Sequence, residues 1–257
     1  MDYNLHTHTV RCRHASGSDE DYIRCAIEAG IKTLGFSDHA PYIFPDGYEN
    51  LYRVQMCDAE SYVSDLSIMR EKYKDKIDIK IGFEMEYYPL YFDEMLAIAK
   101  KVGAEYLILG QHFVLSEHPK GIGSGGPTDD ERLLSTYTDE MISAIKTGVF
   151  SYIAHPDMMA FTGDGEVYRR EMRRLCHAAK EYDIPLEINL GGVRYKKFYP
   201  HERFWEIAGE TRAPVTIGYD AHKHTDLLNT EQLDVAFGII ERYKLNYIGM
   251  PKLIIIK

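Results

Sequence analysis

Residues 33–39 read TLGFSDH, a short run of apolar and small residues that ends on the metal-ligand type His39. Upstream, residues 18–30 place apolar side chains at helical spacing and stop at Ala29-Gly30, a helix C-cap signal. Downstream, after a second helical pattern at 59–74, the stretch DIKIGFE (78–84) repeats the arrangement and ends on Glu84. The same alternation extends in both directions: DYNLH (2–6), YLILGQH (106–112), SYIAH (151–155), PLEINL (185–190) and PVTIGYDAH (214–222) read as strands. Further helical patterns occupy 92–103, 129–147, 166–182, 201–210 and 230–243, with Val102-Gly103 and Thr147-Gly148 as C-cap signals and Ser18 or Asp19, Asp93 and Thr128 as N-caps. Seven strand-then-helix repeats imply a parallel sheet with helices on one side, which closes most easily on itself. The expected architecture is an α/β fold, a distorted (β/α)7 barrel of TIM-like type, in one domain spanning residues 1–257.

Composition narrows the function. The 257 residues carry 30 Lys and Arg against 40 Asp and Glu, a formal net charge of −10, which argues against a broad electrostatic grip on nucleic acid or anionic lipid. Cys12, Cys25, Cys57 and Cys176 form no C-x-x-C pair, so neither a disulfide framework nor a structural zinc ribbon is expected, and small buried thiols suit a reducing compartment. The opening MDYNLHTHTVRCRH has no apolar signal-peptide core, and no apolar run approaches the roughly 20 residues of a membrane span. A soluble, cytoplasmic protein is expected. The two least regular stretches are 40–58 and 117–128. The latter contains GIGSGGP but lacks the Gly-Lys-Ser/Thr ending of a phosphate loop, and reads as a flexible lid over the barrel mouth.

In a (β/α) barrel the active-site groups come from the C-terminal ends of the strands. Here those ends supply His6, His8 and, in the following loop, His14; then His39, Glu84, His112 and His155; and finally Asp220 and His222. Residues two apart on a strand face the same way, so His6/His8 and Asp220/His222 each present a pair. A lone H-x-H or strand-end His is more often an accident or a satisfied core residue. Seven of the 11 His and two carboxylates on one rim are not explained that way. Imidazole and carboxylate without thiolate suit a catalytic Zn, Fe or Mn site. His118, His177, His201 and His224 read as ordinary loop or helix residues. Tyr42, Phe113 and Tyr195 adjoin rim residues and are candidates for packing on a substrate, though core or surface packing is commoner in a chain with 20 Tyr.

Taken together, H-x-H (His6/His8), His14, S-D-H (His39), G-x-E (Glu84), Q-H (His112), A-H-P (His155) and D-A-H (Asp220/His222) resemble the polymerase and histidinol phosphatase (PHP) superfamily. SDHAPY and EINLGGVRY bring the chain nearest to its stand-alone histidinol-phosphate phosphatases. The resemblance implies a centre of three divalent ions: one held by His6, His8, Glu84 and Asp220; a second by Glu84 as bridge with His112 and His155; and a third by His14, His39 and His222. It implies that Arg194 binds the substrate phosphate and acts with Glu84 and Asp220 in catalysis. One departure stands out: these phosphatases carry a second Arg beyond A-H-P, whereas residues 157–170 read DMMAFTGDGEVYRR, with Arg169 and Arg170 opening a helix. No second phosphate clamp is expected there.

The expected function is metal-dependent hydrolysis of a phosphomonoester, histidinol phosphate in histidine biosynthesis, by water whose pKa the ions lower toward neutrality for in-line attack on phosphorus. The ions also supply the local positive field that a chain at −10 otherwise lacks. The second reading is a phosphodiesterase or nuclease of the same superfamily, which would want a basic track with stacking aromatics; ERYKL and VRYKKFY are the nearest approaches. A non-catalytic metal-binding protein and a single-metal amidohydrolase complete the alternatives. No nucleic-acid or membrane partner is expected, only a small phosphate ester.

Overall fold

The computed structural model of the chain describes residues 1–256. Its strands are β1 (Tyr3–Asn4), β2 (Thr33–His39), β3 (Asp78–Met85), β4 (Tyr106–Leu109), β5 (Phe113–Val114), β6 (Ile122–Gly123), β7 (Phe150–Ile153), β8 (Leu186–Asn189), β9 (Pro214–Gly218) and β10 (Asn246–Tyr247). The helices are α1 (Asp19–Glu28), α2 (Ala59–Tyr73), α3 (Phe92–Val102), α4 (Glu131–Lys146), α5 (Gly165–Glu181), α6 (Leu190–Arg194), α7 (Glu202–Thr211) and α8 (Glu231–Tyr243). One sheet runs β1-β2-β3-β4-β7-β8-β9-β10, and every neighbouring pair in it is parallel. Beyond the regular strands, the His8 amide donates to the Ala221 carbonyl at 2.9 Å and the Ala221 amide to the His6 carbonyl at 3.2 Å, which pairs the segment after β1 with the segment after β9 at the mouth.

The seven expected strands and seven expected helices are present within a few residues of their expected limits. The eighth strand of the sheet, β10, has two residues and follows no strand-like run, so the sequence pattern did not show it. α6 is likewise short and lies where a loop was expected. Two expected N-caps move. Asp130, not Thr128, caps α4 by accepting from the Arg132 amide at 2.8 Å, and α3 begins at Phe92, leaving Asp93 inside its first turn. Gly103 closes α3 with a φ of +90°, as its C-cap position requires.

Helix α5 shows why these segments are helices that dock. Asp164 caps it by accepting from the Glu166 and Val167 amides at 2.7 and 3.2 Å. Its buried residues Tyr168, Met172, Leu175, Cys176 and Ala179 recur at helical spacing and form one stripe facing the apolar core. At the foot of the barrel Tyr3, Leu5, Tyr106, Ile108, Tyr152 and Ala154 make a separate apolar layer. The Tyr106 hydroxyl donates to the Leu5 carbonyl at 2.9 Å. The C-terminal tail covers that layer: Leu253 packs against it and the Ile256 amide donates to the Glu105 carbonyl at 2.9 Å. Filling the foot leaves the mouth as the place for a site.

The segment 117–128 is a structured element rather than a free lid. β5 and β6 pair antiparallel, and the Ser124 hydroxyl donates to the Gln111 carbonyl at 2.7 Å. Under this hairpin Glu140 of α4 accepts from the Leu115 amide at 2.9 Å and from Gln111 Nε2 at 3.2 Å. Burial nevertheless pushes its carboxyl up to about 7. The folded state therefore binds the Glu140 proton more tightly than the unfolded chain. The stability this brings is complete below the unfolded value of about 4.3 and is lost as pH rises through about 7. Between pH 5 and pH 8 the wild type is expected to lose about 2–3 kcal/mol more unfolding free energy than Glu140→Gln, measured by urea denaturation. Parallel pH dependences for the two proteins would refute the assignment.

Candidate metal centre

The nine expected ligands come together around Glu84, the penultimate residue of β3. Nε2 of His155 lies 2.8 Å from Glu84 Oε1, and Nε2 of His112 lies 3.5 Å from the same oxygen. Nδ1 of His39 lies 3.0 Å from Glu84 Oε2, with Nε2 of both His6 and His8 at 3.5 Å. Asp220 Oδ1 stands 3.2 Å from His8 Nε2, 3.6 Å from His6 Nε2 and 3.2 Å from His222 Nδ1. The His14 and His222 Nε2 atoms are 2.9 Å apart. His6/His8/Asp220 and His14/His39/His222 each offer three ligand atoms within 4.8 Å of one another, as do His6/Glu84/His155 and His8/His39/Glu84.

The pairing rule used for Asp220 and His222 holds in outcome but not in mechanism. β9 ends at Gly218, and Asp220 takes a φ of +48°, so a turn rather than a strand aims the two side chains. His155 likewise sits just past β7 with a φ of +31°. Left-handed backbone at two non-glycine ligands is the kind of local strain that folded proteins retain at functional sites.

Three carboxylates missed by the sequence reading hold the backs of the imidazoles. Glu187 Oε1 lies 2.9 Å from His6 Nδ1, Glu86 Oε1 lies 2.8 Å from His112 Nδ1, and Asp38 Oδ1 lies 3.4 Å from His8 Nδ1. Glu187 also accepts from the His155 amide at 3.1 Å. Such partners fix ring orientation and leave the other nitrogen free for a cation. The signal was available: Glu86 and Glu187 are charged residues in or beside otherwise apolar strands, and charge is rarely buried without a partner. Glycine makes the room. A Cβ on Gly110 would fall onto Glu84 Oε1, and one on Gly218 onto Glu187 Oε1.

Several observations show that a divalent cation fits. The Nε2 atoms of His6 and His8 and Oε2 of Glu84 are buried without a hydrogen-bond partner, a costly arrangement unless a ligand satisfies them. Burial alone would lower the His6 imidazole, but Glu187, Asp220 and Glu84 outweigh it and raise it to about 10. Burial would raise Glu84 and Asp220, but the surrounding imidazoles, led by His112 at Glu84 and His6 at Asp220, hold both well below the carboxylate range. Burial lowers His39 to about 3, against the pull of Glu84, so it is a neutral ligand. Among the described residues, Cys12 is the one addition to the possible ligands: its Sγ shares a 4.8 Å group with His8 and His222. Burial and then Asp38 push its thiol up, and it donates to the Thr9 carbonyl at 3.1 Å, so it serves as a donor.

The centre opens into a cleft of about 750 Å³. Phe113 and Tyr195 line it as expected, joined by Tyr52, Met158, Tyr199 and Lys197. Arg194 does not. Its Nη2 donates to the Tyr219 carbonyl at 3.0 Å, its Nη1 to the Asp220 carbonyl at 3.3 Å, and its Nε lies 3.3 Å from Asp226 Oδ1. Placed on the last turn of α6, Arg194 braces the loop that carries Asp220, and its guanidinium faces that loop. Lys196 with a φ of +50° then turns the chain, and Lys197 is brought to the cleft. Tyr42 is also away from the cleft, buried with its hydroxyl donating to the Glu86 carbonyl. His118 pairs with Asp46 at 2.6 Å, and His201 precedes α7; neither lines the cleft.

Comparison with known proteins gives a consistent picture. The profile of the PHP domain matches residues 4–190. A protein of Deinococcus radiodurans named "Probable histidinol-phosphatase" is 23% identical over 223 residues, covering 85% of each chain. One of the same name from Schizosaccharomyces pombe is 26% identical over 252 residues, covering 86% of this chain and 81% of its own. The histidinol phosphate phosphatase of Lactococcus lactis subsp. lactis Il1403, solved with zinc, L-histidinol and phosphate, superposes with a TM-score of 0.73 at 17% identity, covering 96% of this chain and 95% of its own. Among the described residues, no helix is long and apolar enough to cross a membrane.

Proposed function

The chain belongs to the PHP domain family and is a metal-dependent phosphatase, and from that premise we propose that it hydrolyses histidinol phosphate at a centre of three divalent ions within a single cytoplasmic domain. The observation that carries this reading is the convergence of five imidazoles and two carboxylates on one cleft, with the His6 and His8 rings buried directly behind Glu84 and Asp220. His6, His8, Glu84 and Asp220 would hold one ion; His112 and His155, sharing Glu84, a second; and His14, His39 and His222 a third. Ions held there lower the pKa of water toward neutrality and neutralise charge on the phosphoryl oxygens.

The chain's own residues do the rest. Glu187 and Glu86 would keep a proton at Nδ1 of His6 and His112, so that a cation displacing the Nε2 proton finds each Nε2 lone pair directed at the centre. Lys197, which lines the cleft, and Arg194, which stands behind Asp220, are the cations of the α6 segment that would meet the phosphate. Phe113, Tyr195, Tyr199 and Met158 give the organic part of the substrate an apolar wall that displaces water.

Zinc-loaded protein is expected to turn over histidinol phosphate at least about a hundredfold faster, in kcat/KM, than bis(p-nitrophenyl) phosphate. The acidic surface and the absence of a long basic run support the monoester over a nucleic-acid end. Faster hydrolysis of the diester would overturn the proposal in favour of a phosphodiesterase.

A further inference from the structure

The cleft contains an arginine that the proposed reaction leaves unused. Arg53 lies in the 40–58 segment, is 4% exposed, and lines the cleft beside Glu86 and His112. Its Nη1 and Nη2 each donate to Glu86 at 2.8 Å, a bidentate pair. Its Nε donates to Glu117 at 3.0 and 3.1 Å, and its Nη1 reaches the Ala40 carbonyl at 3.3 Å. The Tyr42 ring packs against the guanidinium at 4.8 Å. Its Nη2 also donates to Glu117, so all five N–H donors are committed and Arg53 is no free clamp for a substrate anion.

Stability alone is a weak reason for this arrangement. Desolvating one guanidinium and two carboxylates costs several kcal/mol per ion, and apolar replacements of such groups are often neutral or better. What the bidentate fork does is fix both oxygens of Glu86 in one plane. Glu86 Oε1 is the atom 2.8 Å from His112 Nδ1. A rotation of that carboxylate would turn the ring or release it.

We propose that Arg53 is a positioning residue that acts through Glu86 to hold His112 in its ligating orientation. The inference rests on the metal-centre reading of His112 and is independent of which phosphate ester is cleaved. Glu117 anchors the other side of the guanidinium but does not touch His112, and so provides the control.

The test measures zinc(II) affinity of chelator-stripped full-length protein by competition with a chromophoric chelator, with far-UV circular dichroism to confirm folding. Arg53→Met and Arg53→Lys are expected to weaken one zinc by about 10–100-fold, the scale of losing an outer-shell partner, because lysine keeps the charge but not the fork. Glu117→Gln, which leaves the Glu86 fork in place, is expected to bind zinc as the wild type does. Folded Arg53→Lys with wild-type zinc affinity would overturn the proposal. So would Glu117→Gln weakening zinc as much as Arg53→Lys, since that is the mark of a merely structural cluster. Zinc binding is read without substrate, so failure of the phosphatase reading shows separately, as zinc-loaded wild-type protein without turnover.

Discussion

Glu84→Gln is expected to lower kcat on histidinol phosphate by at least about a hundredfold and to reduce bound metal by at least one ion per chain. The substitution keeps the size of the side chain but removes its charge and turns one acceptor oxygen into an NH2 donor that cannot ligate a cation. That charge matters because Glu84 is buried with five imidazole nitrogens within 3.5 Å of its two oxygens. Among the described residues no other carboxylate meets imidazole nitrogens on both the His6/His8 side and the His112/His155 side; Glu187 meets the His6 ring but only the backbone amide of His155. Asp220 Oδ1 contacts His6, His8 and His222, on one side of the cluster. Metal content by elemental analysis and kcat measured on the same preparation check the prediction together. Near-normal turnover with full metal content would mean that Glu84 is not the bridge.

Gly110→Ala removes no functional group, yet it is expected to cost about a hundredfold in kcat, the order of loss for a 1 Å misplacement at a reacting centre. Gly110 follows β4 directly, and a Cβ there would land on Glu84 Oε1, with the Glu84 Cδ and Cγ next nearest. The carboxylate is buried, and its other side is occupied by the imidazoles, so it has no clear direction of retreat. The methyl therefore pushes the bridge off its position, or the backbone after β4 shifts and takes Gln111 and His112 with it. Either displacement lowers activity, and a fold of normal thermal stability would show that the effect is local. Full activity in Gly110→Ala would contradict the packing around Glu84.

The sequence made the barrel legible because each strand-like run was short, apolar and followed by a helical period. β10 escaped because two residues carry no periodicity, and its place beside β9 is set by packing at the barrel foot. The ligands were legible for a related reason: the ends of parallel strands face one mouth, so residue type at a strand end carries positional information. Asp220 and His155 show the limit. Their aim depends on left-handed backbone that no local motif announces. Arg194 was assigned from its motif alone, and a motif does not report that the carbonyls of Tyr219 and Asp220 lie within reach of the guanidinium. Glu187, Glu86 and Arg53 were overlooked because their partners lie far along the chain: His6 is 181 residues from Glu187, and Glu117 is 64 from Arg53.

The central claim, that this cleft is a multinuclear centre for phosphomonoester hydrolysis, meets its most direct test in a zinc titration of chelator-stripped protein. Bound zinc per chain and turnover of histidinol phosphate are followed in the same samples. Turnover is expected to be absent in the stripped protein, to rise with bound zinc, and to level off only beyond one ion per chain. Full turnover without metal, or a plateau at one ion per chain, would contradict the account.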